Sequence, residues 1–209
     1  MSLGIWGIFI TSFLVGFSGA SSPGPMLTMV LTQSSIKGWF ESVKIVTGHA
    51  ILEGILVILL LLGLQPFLQN QVFLKIFSFL GSLFLLYMGI GLFVSLLKNN
   101  IHIKNASSLK IPSILGGILV SFSNPYWLMW WITIGVSFLT QAKDYLIFGV
   151  LSFYFGHILS DYVWYAFIGL IGQGLSLPFW KRIYKVILYF ASVFLIFFGI
   201  YFMRYVFVG

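Results

Sequence analysis

Two apolar stretches of the chain each carry a histidine followed four residues later by an acid, Gly48-His49 with Glu53 and Gly156-His157 with Asp161. A spacing of four places each pair on one face of a helix, where the imidazole can polarise or neutralise the carboxylate one turn away. At about 1.5 Å per residue, Glu53 lies about 16 Å from the start of its stretch and Asp161 about 14 Å from the end of its own, so both fall near mid-membrane if the stretches cross a bilayer. A lone charge at that depth is costly, and each acid must face a wet cavity, find a partner or take up a proton. His49, Glu53, His157 and Asp161 are therefore expected to couple protons to another process. The plainer alternative is that they clamp helices together, the imidazoles resting on backbone carbonyls.

Two further places could hold a ligand. Ser21-Ser22-Pro23-Gly24-Pro25 removes two backbone donors within three residues, and Asn124-Pro125 interrupts a second apolar stretch in the same manner. Backbone freed at membrane depth is tolerated where protein or a water-filled cavity covers it. The helix resuming after Pro25 presents a positive dipole end suited to a carboxylate. Ser22, Pro23, Gly24, Pro25, Asn124 and Pro125 are the expected substrate-binding residues, with Asn124 supplying orienting hydrogen bonds. Kinks satisfied by the Ser21 and Ser22 hydroxyls are the bland alternative.

The elements that carry these residues follow from composition. Of 209 residues, 60% are hydrophobic, 19% aromatic and only 7% charged, and the mean hydropathy is +1.07. Ordinary globular chains carry about 25% charged residues, so lipid is the expected solvent. The net charge of +7 comes from residues placed between apolar segments, which argues for topology and against nucleic acid. Cys is absent, excluding disulfides, thiolate metal sites and thiol-redox carriers.

Apolar runs between charged or turn-rich punctuation predict spans near Leu3 to Leu31, Val43 to Leu62, Val72 to Leu97, Pro112 to Leu139, Leu146 to Leu170 and Ile183 to Phe207. Because no Lys or Arg precedes Lys37, the first is expected to be a retained span rather than a secretory signal. Lys37, Lys44, Lys98, Lys104, Lys110, Lys181, Arg182 and Lys185 fall at odd-numbered connections, against Lys75, Lys143 and Arg204 on the other side. The positive-inside rule then puts both termini outside. His102 is expected in an exposed polar loop, and the Asn105-Ala106-Ser107 sequon, cytoplasmic in this topology, is read as chance. Tyr126, Trp127, Trp130 and Trp131 are expected to anchor at the interface or face lipid, and Lys181, Arg182 and Lys185 beside Trp180 to mark an interfacial edge.

The chain also matches itself. Besides the two Gly-His-acid patterns, Ser21 to Pro25 pairs with Ser121 to Pro125, and Gly81-Ser82-x-Phe84 with Gly89 pairs with Ala191-Ser192-x-Phe194 with Gly199. Three colinear matches at nearly constant offset point to a duplication. A unit of three spans crosses an odd number of times, so its second copy enters the membrane in the opposite sense. The expected fold is all-α: one polytopic membrane domain over 1–209, six transmembrane helices in a 3+3 inverted repeat (about 1–98 and 111–209), the first and fourth interrupted at Pro. No phosphate loop, nucleophile motif or H-E-x-x-H pair is present. Neither enzymatic chemistry nor a cofactor is expected, and energy must come from a gradient or a partner.

The Ser-Pro-Gly-Pro stretch at 22–25, the Lys37-Gly38 turn, the Gly48-His49 pattern with Glu53 and Asn124-Pro125 together resemble the lysine exporter superfamily, over nearly the whole chain. The resemblance implies a six-span exporter of amino acids and related small solutes in the plasma (inner) membrane of a prokaryote, using the proton gradient, with Pro23, Gly24 and Pro25 as the first-span signature and Asn124-Pro125 its counterpart. Tyr126-Trp127 departs from the commoner pattern of smaller or basic residues there. The expected partners are thus a small solute such as an amino acid, protons and the lipid bilayer, with self-association left open. In the expected scheme Glu53 and Asp161 alternately hold a proton and the substrate's amino group. A divalent-cation exporter using the same four side chains and a non-transporting scaffold are the rival readings.

Overall fold

The computed structural model describes residues 4–98, 111–174 and 178–208. The helices are α1 Gly4–Ala20, α2 Pro25–Lys37, α3 Phe40–Leu61, α4 Gln65–Leu68, α5 Gln71–Leu97, α6 Ser113–Phe122, α7 Pro125–Trp130, α8 Val136–Lys143, α9 Leu146–Gln173 and α10 Pro178–Val208, with a π-helical turn, Trp131–Gly135, joining α7 to α8. No strand occurs among the described residues. His102, the sequon at 105–107, Lys104, Lys110 and the side chains of Trp180 and Lys181 lie outside what is described.

Both expected breaks are present. At the first, Ser21 N–H still reaches Phe17 O at 2.9 Å and Ser22 N–H reaches Gly19 O at 3.1 Å, after which Pro23 and Pro25 have no N–H to continue the ladder. The Ser21 and Ser22 hydroxyls bond back to Phe17 O and Ser18 O, finishing α1. The chain turns by 83° into α2, with Pro25 at its first position, where a missing donor costs nothing. At the second break Asn124 Oδ1 accepts from Tyr126 N–H at 3.1 Å and caps α7. Gly38, at φ 94°, supplies the left-handed residue that turns α2 into α3.

Among the described residues four helices are long and apolar enough to cross a bilayer: Phe40–Leu61, Gln71–Leu97, Leu146–Gln173 and the Lys185–Val208 part of α10. The bent pair α1 and α2 makes a fifth if taken as one span. Residues 112–139, expected as one span, form no single helix. They divide into the ten-residue α6, the Asn124 break and the α7–π–α8 rod.

Packing interleaves the two halves. Helix α1 lies on α9, and α6 lies on α3. A Cβ on Gly48 would collide with the Ile114 carbonyl, and one on Gly117 with that of Ile45. On the other seam a Cβ on Gly156 would collide with Ser12 and Phe9, and the Ser12 hydroxyl bonds Phe153 O at 2.9 Å. Small residues let backbones meet where lipid gives no hydrophobic drive to pack. Helices α5 and α10 form the third seam. Gly89 faces Leu195 and Ile196 there, while Gly199 faces Leu86. Residues 81–90 and 191–200 carry the same succession of buried, half-buried and exposed positions, one for one.

The outward faces are apolar, as at Ile58, Leu80, Tyr87, Phe190 and Phe197, while His49, Glu53, His157 and Asp161 are buried. This inversion of the water-soluble pattern is what a lipid-facing bundle with a polar interior requires. Helix α2 is buried without interruption from Pro25 to Leu31, which puts the first break in the middle of the protein.

Candidate functional site

Helices α3 and α9 run side by side and present their histidine–acid pairs to one another. His49 Nε2 lies 3.2 Å from Glu53 Oε1 on its own helix and 3.9 Å from Asp161 Oδ2 on the other. His157 Nε2 lies 3.1 Å from Glu53 Oε2 and 3.8 Å from Asp161 Oδ2. The sequence spacing pairs each imidazole with its own acid, but the fold brings both imidazoles closest to Glu53.

Two indoles complete the surroundings of Glu53. Trp127 Nε1–H donates to Glu53 Oε1 at 2.8 Å, and Trp131 Nε1–H donates to the same oxygen at 2.7 Å. Hydrogen bonds to an ionised acceptor are short and about twice as strong as neutral ones, so these donors suit a carboxylate anion. The four-residue spacing of the two tryptophans puts both rings on one face of the α7–π–α8 rod, from which their N–H groups reach Glu53. Gly135 lacks the Cβ that would strike the Trp131 ring, and the widened π turn begins at that tryptophan. Trp130 stacks on the His157 imidazole at 4.6 Å between centroids and 21° between planes.

The expectation that Tyr126, Trp127, Trp130 and Trp131 are interfacial or lipid-facing is thus corrected. The three tryptophans are buried, Trp127 and Trp131 with their N–H groups on Glu53 and Trp130 stacked on His157. Tyr126 is half-buried, its ring packed between Phe194 and Phe198. The signal in the sequence was the Trp127-x-x-x-Trp131 spacing, which repeats that of the histidine–acid pairs.

Asp161 differs from Glu53. Both acids are buried and each has one oxygen without a hydrogen-bond partner among the described residues, Glu53 Oε2 and Asp161 Oδ2, but the indole hydrogens go to Glu53 and the imidazole nitrogens stand closer to it, at 3.1–3.2 Å against 3.8–3.9 Å for Asp161. His49 is held at its far nitrogen, Nδ1, by Ser121 Oγ at 2.7 Å, a contact that joins α3 to the end of α6. In the sequence, only the repeat pointed to Ser121.

The two breaks meet at this cluster. Ser22, Pro23, Gly24, Pro25 and Asn124 line the same hollow as His49, Glu53, His157 and Asp161, and a Cβ on Gly24 would lie 3.4 Å from Asn124 Nδ2. Pro125 is buried at one side, against Gly81 of α5. Gly24 has no side chain to cap α2, so the first-turn N–H groups of that helix are left for another acceptor. The hollow leaves about 50 Å³ for the centres of water molecules, at roughly 10–15 Å³ each enough for a few waters.

His49, Glu53 and Asp161 can also bring one ligand atom each within 4.8 Å of one another, a set compatible with a divalent cation. At Glu53 two indole hydrogens already point at Oε1, which leaves Oε2 as the oxygen it could offer.

A family model described as LysE type translocator matches residues 17–206 of the chain. No curated protein and no solved structure matches it.

Proposed function

Because the chain belongs to the LysE type translocator family, and is accordingly a multi-pass membrane transporter, we propose that it exports amino acids or similar small solutes from a prokaryotic cytoplasm by proton antiport. The observation that carries this reading is the convergence of two helix breaks and two histidine–acid pairs on one buried hollow.

In this scheme the acids divide the work. Glu53 is a fixed anion, held by two indoles and two imidazoles. Asp161, which stands 3.8–3.9 Å from the same imidazoles and receives no indole hydrogen among the described residues, is the group that exchanges a proton for the substrate's ammonium. Competition of both cations for one carboxylate gives antiport, since occupancy by either excludes the other. The uncapped start of α2 receives the substrate carboxylate, and Ser22, Pro23, Gly24, Pro25, Asn124 and Pro125 shape the site. Asn124 spends its carbonyl oxygen on capping α7, which leaves its amide nitrogen beside Gly24 for orienting a ligand.

The reciprocal contacts of Gly89 with Ile196 and of Gly199 with Leu86 support an inverted 3+3 repeat, because a two-fold axis between α5 and α10 exchanges such partners. Rocking of one half against the other would then expose the hollow to alternate sides. The basic residues at odd-numbered connections support termini on the outside.

The test is counterflow in proteoliposomes loaded with a labelled amino-acid mixture. Efflux should rise when the opposite compartment is made acidic and fall when a protonophore collapses the gradient. Efflux indifferent to the gradient would remove the antiport, and movement of divalent metal without any amino acid would favour the cation reading.

A further inference from the structure

The central hollow has two unlike sides. His49, Glu53, His157 and Asp161 stand on α3 and α9. Among the described residues, α5 and α10 contribute Leu85, Phe194, Leu195 and Phe198, which carry only hydrocarbon side chains. The Phe194 and Phe198 rings lie 4.4 Å apart between centroids, and the Tyr126 ring meets both edge-on at 6.4 and 5.5 Å. Leu85 and Leu195 are buried in the seam between the two helices.

The polar atoms of the aromatic residues beside this wall are engaged within the protein. Tyr126 O–H donates to Ser18 O at 3.4 Å, Trp130 Nε1–H to Ser18 Oγ at 3.1 Å and Trp127 Nε1–H to Glu53 Oε1 at 2.8 Å. Their rings are left to the hollow.

Charge is equally one-sided. Glu53 and Asp161 are the acids on the hollow, and no Lys or Arg lines it among the described residues. Glu53 is closed to an alkylammonium, since Oε1 receives two indole hydrogens and Oε2 is buried 3.1 Å from His157 Nε2. At Asp161 the Oδ2 atom is buried beside the imidazoles, which leaves Oδ1 to meet a solute. One carboxylate is thus on offer, for one ammonium. A second cation, at the end of a lysine or arginine side chain, would lie against hydrocarbon, and a buried charge without a partner is costly. The neutral groups of Ser22, Asn124 and Tyr165, which also line the hollow, cannot neutralise it. An apolar side chain laid on the same wall leaves water and gains free energy.

We propose that the solute is an α-amino acid with an apolar side chain, held by its ammonium on Asp161 and its carboxylate at the start of α2, with the side chain on the wall of Leu85, Phe194, Leu195 and Phe198. This assignment rests on the transport reading. The hollow as it stands holds a few waters, so the halves part to admit the solute.

Norleucine is lysine without its terminal ammonium and so tests that charge by itself. The full-length protein is unfolded by heat in detergent with norleucine, leucine, alanine or lysine, each of which raises the midpoint as it occupies the folded state. The same four compete with the labelled amino-acid mixture in proteoliposome counterflow. Norleucine and leucine should bind at least about tenfold more tightly than alanine and than lysine, since even one methylene in an apolar pocket discriminates by about 10–200-fold. Alanine level with leucine, or lysine level with norleucine, overturns the proposal and leaves the transport reading standing. The expected order in binding with no solute moved upholds the proposal and overturns the transport reading. No response to any of the four overturns the proposal, and if the labelled mixture does not move either, the transport reading falls with it. Phe198→Glu sets an acid in the wall and should improve lysine relative to norleucine by about tenfold or more, as a hydrogen bond to a charged group does. Leu85→Ala, which adds no charge, should favour phenylalanine over leucine by about tenfold relative to the unaltered protein. Unchanged preferences in either folded variant would remove the wall from the proposal.

Discussion

Glu53 on α3 receives two indole N–H groups and lies within 3.2 Å of two imidazoles, whereas Asp161, at the matching place on α9, stands 3.8–3.9 Å from those imidazoles and receives no indole hydrogen among the described residues. The difference arises because the α7–π–α8 rod brings Trp127 and Trp131 to the first acid, and no described side chain does the same for Asp161 Oδ2. The recurring histidine–acid pattern thus holds one acid with indole donors and one without. The helix breaks show a parallel asymmetry. Asn124 caps its helix, and Gly24 leaves its own uncapped.

The largest effect should come from removing the anchor. Glu53→Ala leaves two indoles and two imidazoles facing a void, and loss of one member of a buried ion pair costs about 3–5 kcal/mol. Thermal unfolding in detergent should show a markedly lower midpoint, while Asp161→Ala should lower it far less. Equal shifts in the two variants would abolish the division between the acids.

Next in size are the indoles. Trp131→Phe and Trp127→Phe each remove one hydrogen bond to a charged acceptor, and each should cost about 1.5–3 kcal/mol. The double variant should cost less than the sum, because both donors serve one oxygen. Denaturation of the four combinations in detergent measures this, and strict additivity would deny the shared acceptor.

Asp161→Asn should leave the folded protein near wild-type stability but uncouple it. Solute exchange should persist while the response to an imposed pH gradient falls by roughly 5–150-fold, the range of ordinary coupling energies. Proteoliposome counterflow with and without the gradient reads both, and retained coupling would move the exchange role away from Asp161.

The smallest effects concern the breaks. Asn124→Ala loses a cap and should cost about 1 kcal/mol, again by unfolding in detergent. Gly24→Asn offers α2 a cap of its own, and should slow flux by satisfying the N–H groups the substrate would use, with little cost in stability. Faster or unchanged flux would separate the start of α2 from substrate binding.

The solvent, the helical class and the two interruptions were legible in the residues alone, because each follows from local chemistry. Charge scarcity demands lipid, apolar runs in lipid demand helices, and proline ends a hydrogen-bond ladder wherever it falls. His49, Glu53, His157 and Asp161 were legible too, since an acid deep in an apolar run is too costly to persist without a partner or a wet cavity. Three outcomes required the folded chain: which histidine serves which acid, that tryptophans expected at the membrane surface hold Glu53, and that Asp161 is left without such donors among the described residues. They depend on how α3, α9 and the α7–π–α8 rod cross. Crossing is set by the glycine and serine seams between distant segments, and a helical period cannot reveal which partner a face will meet.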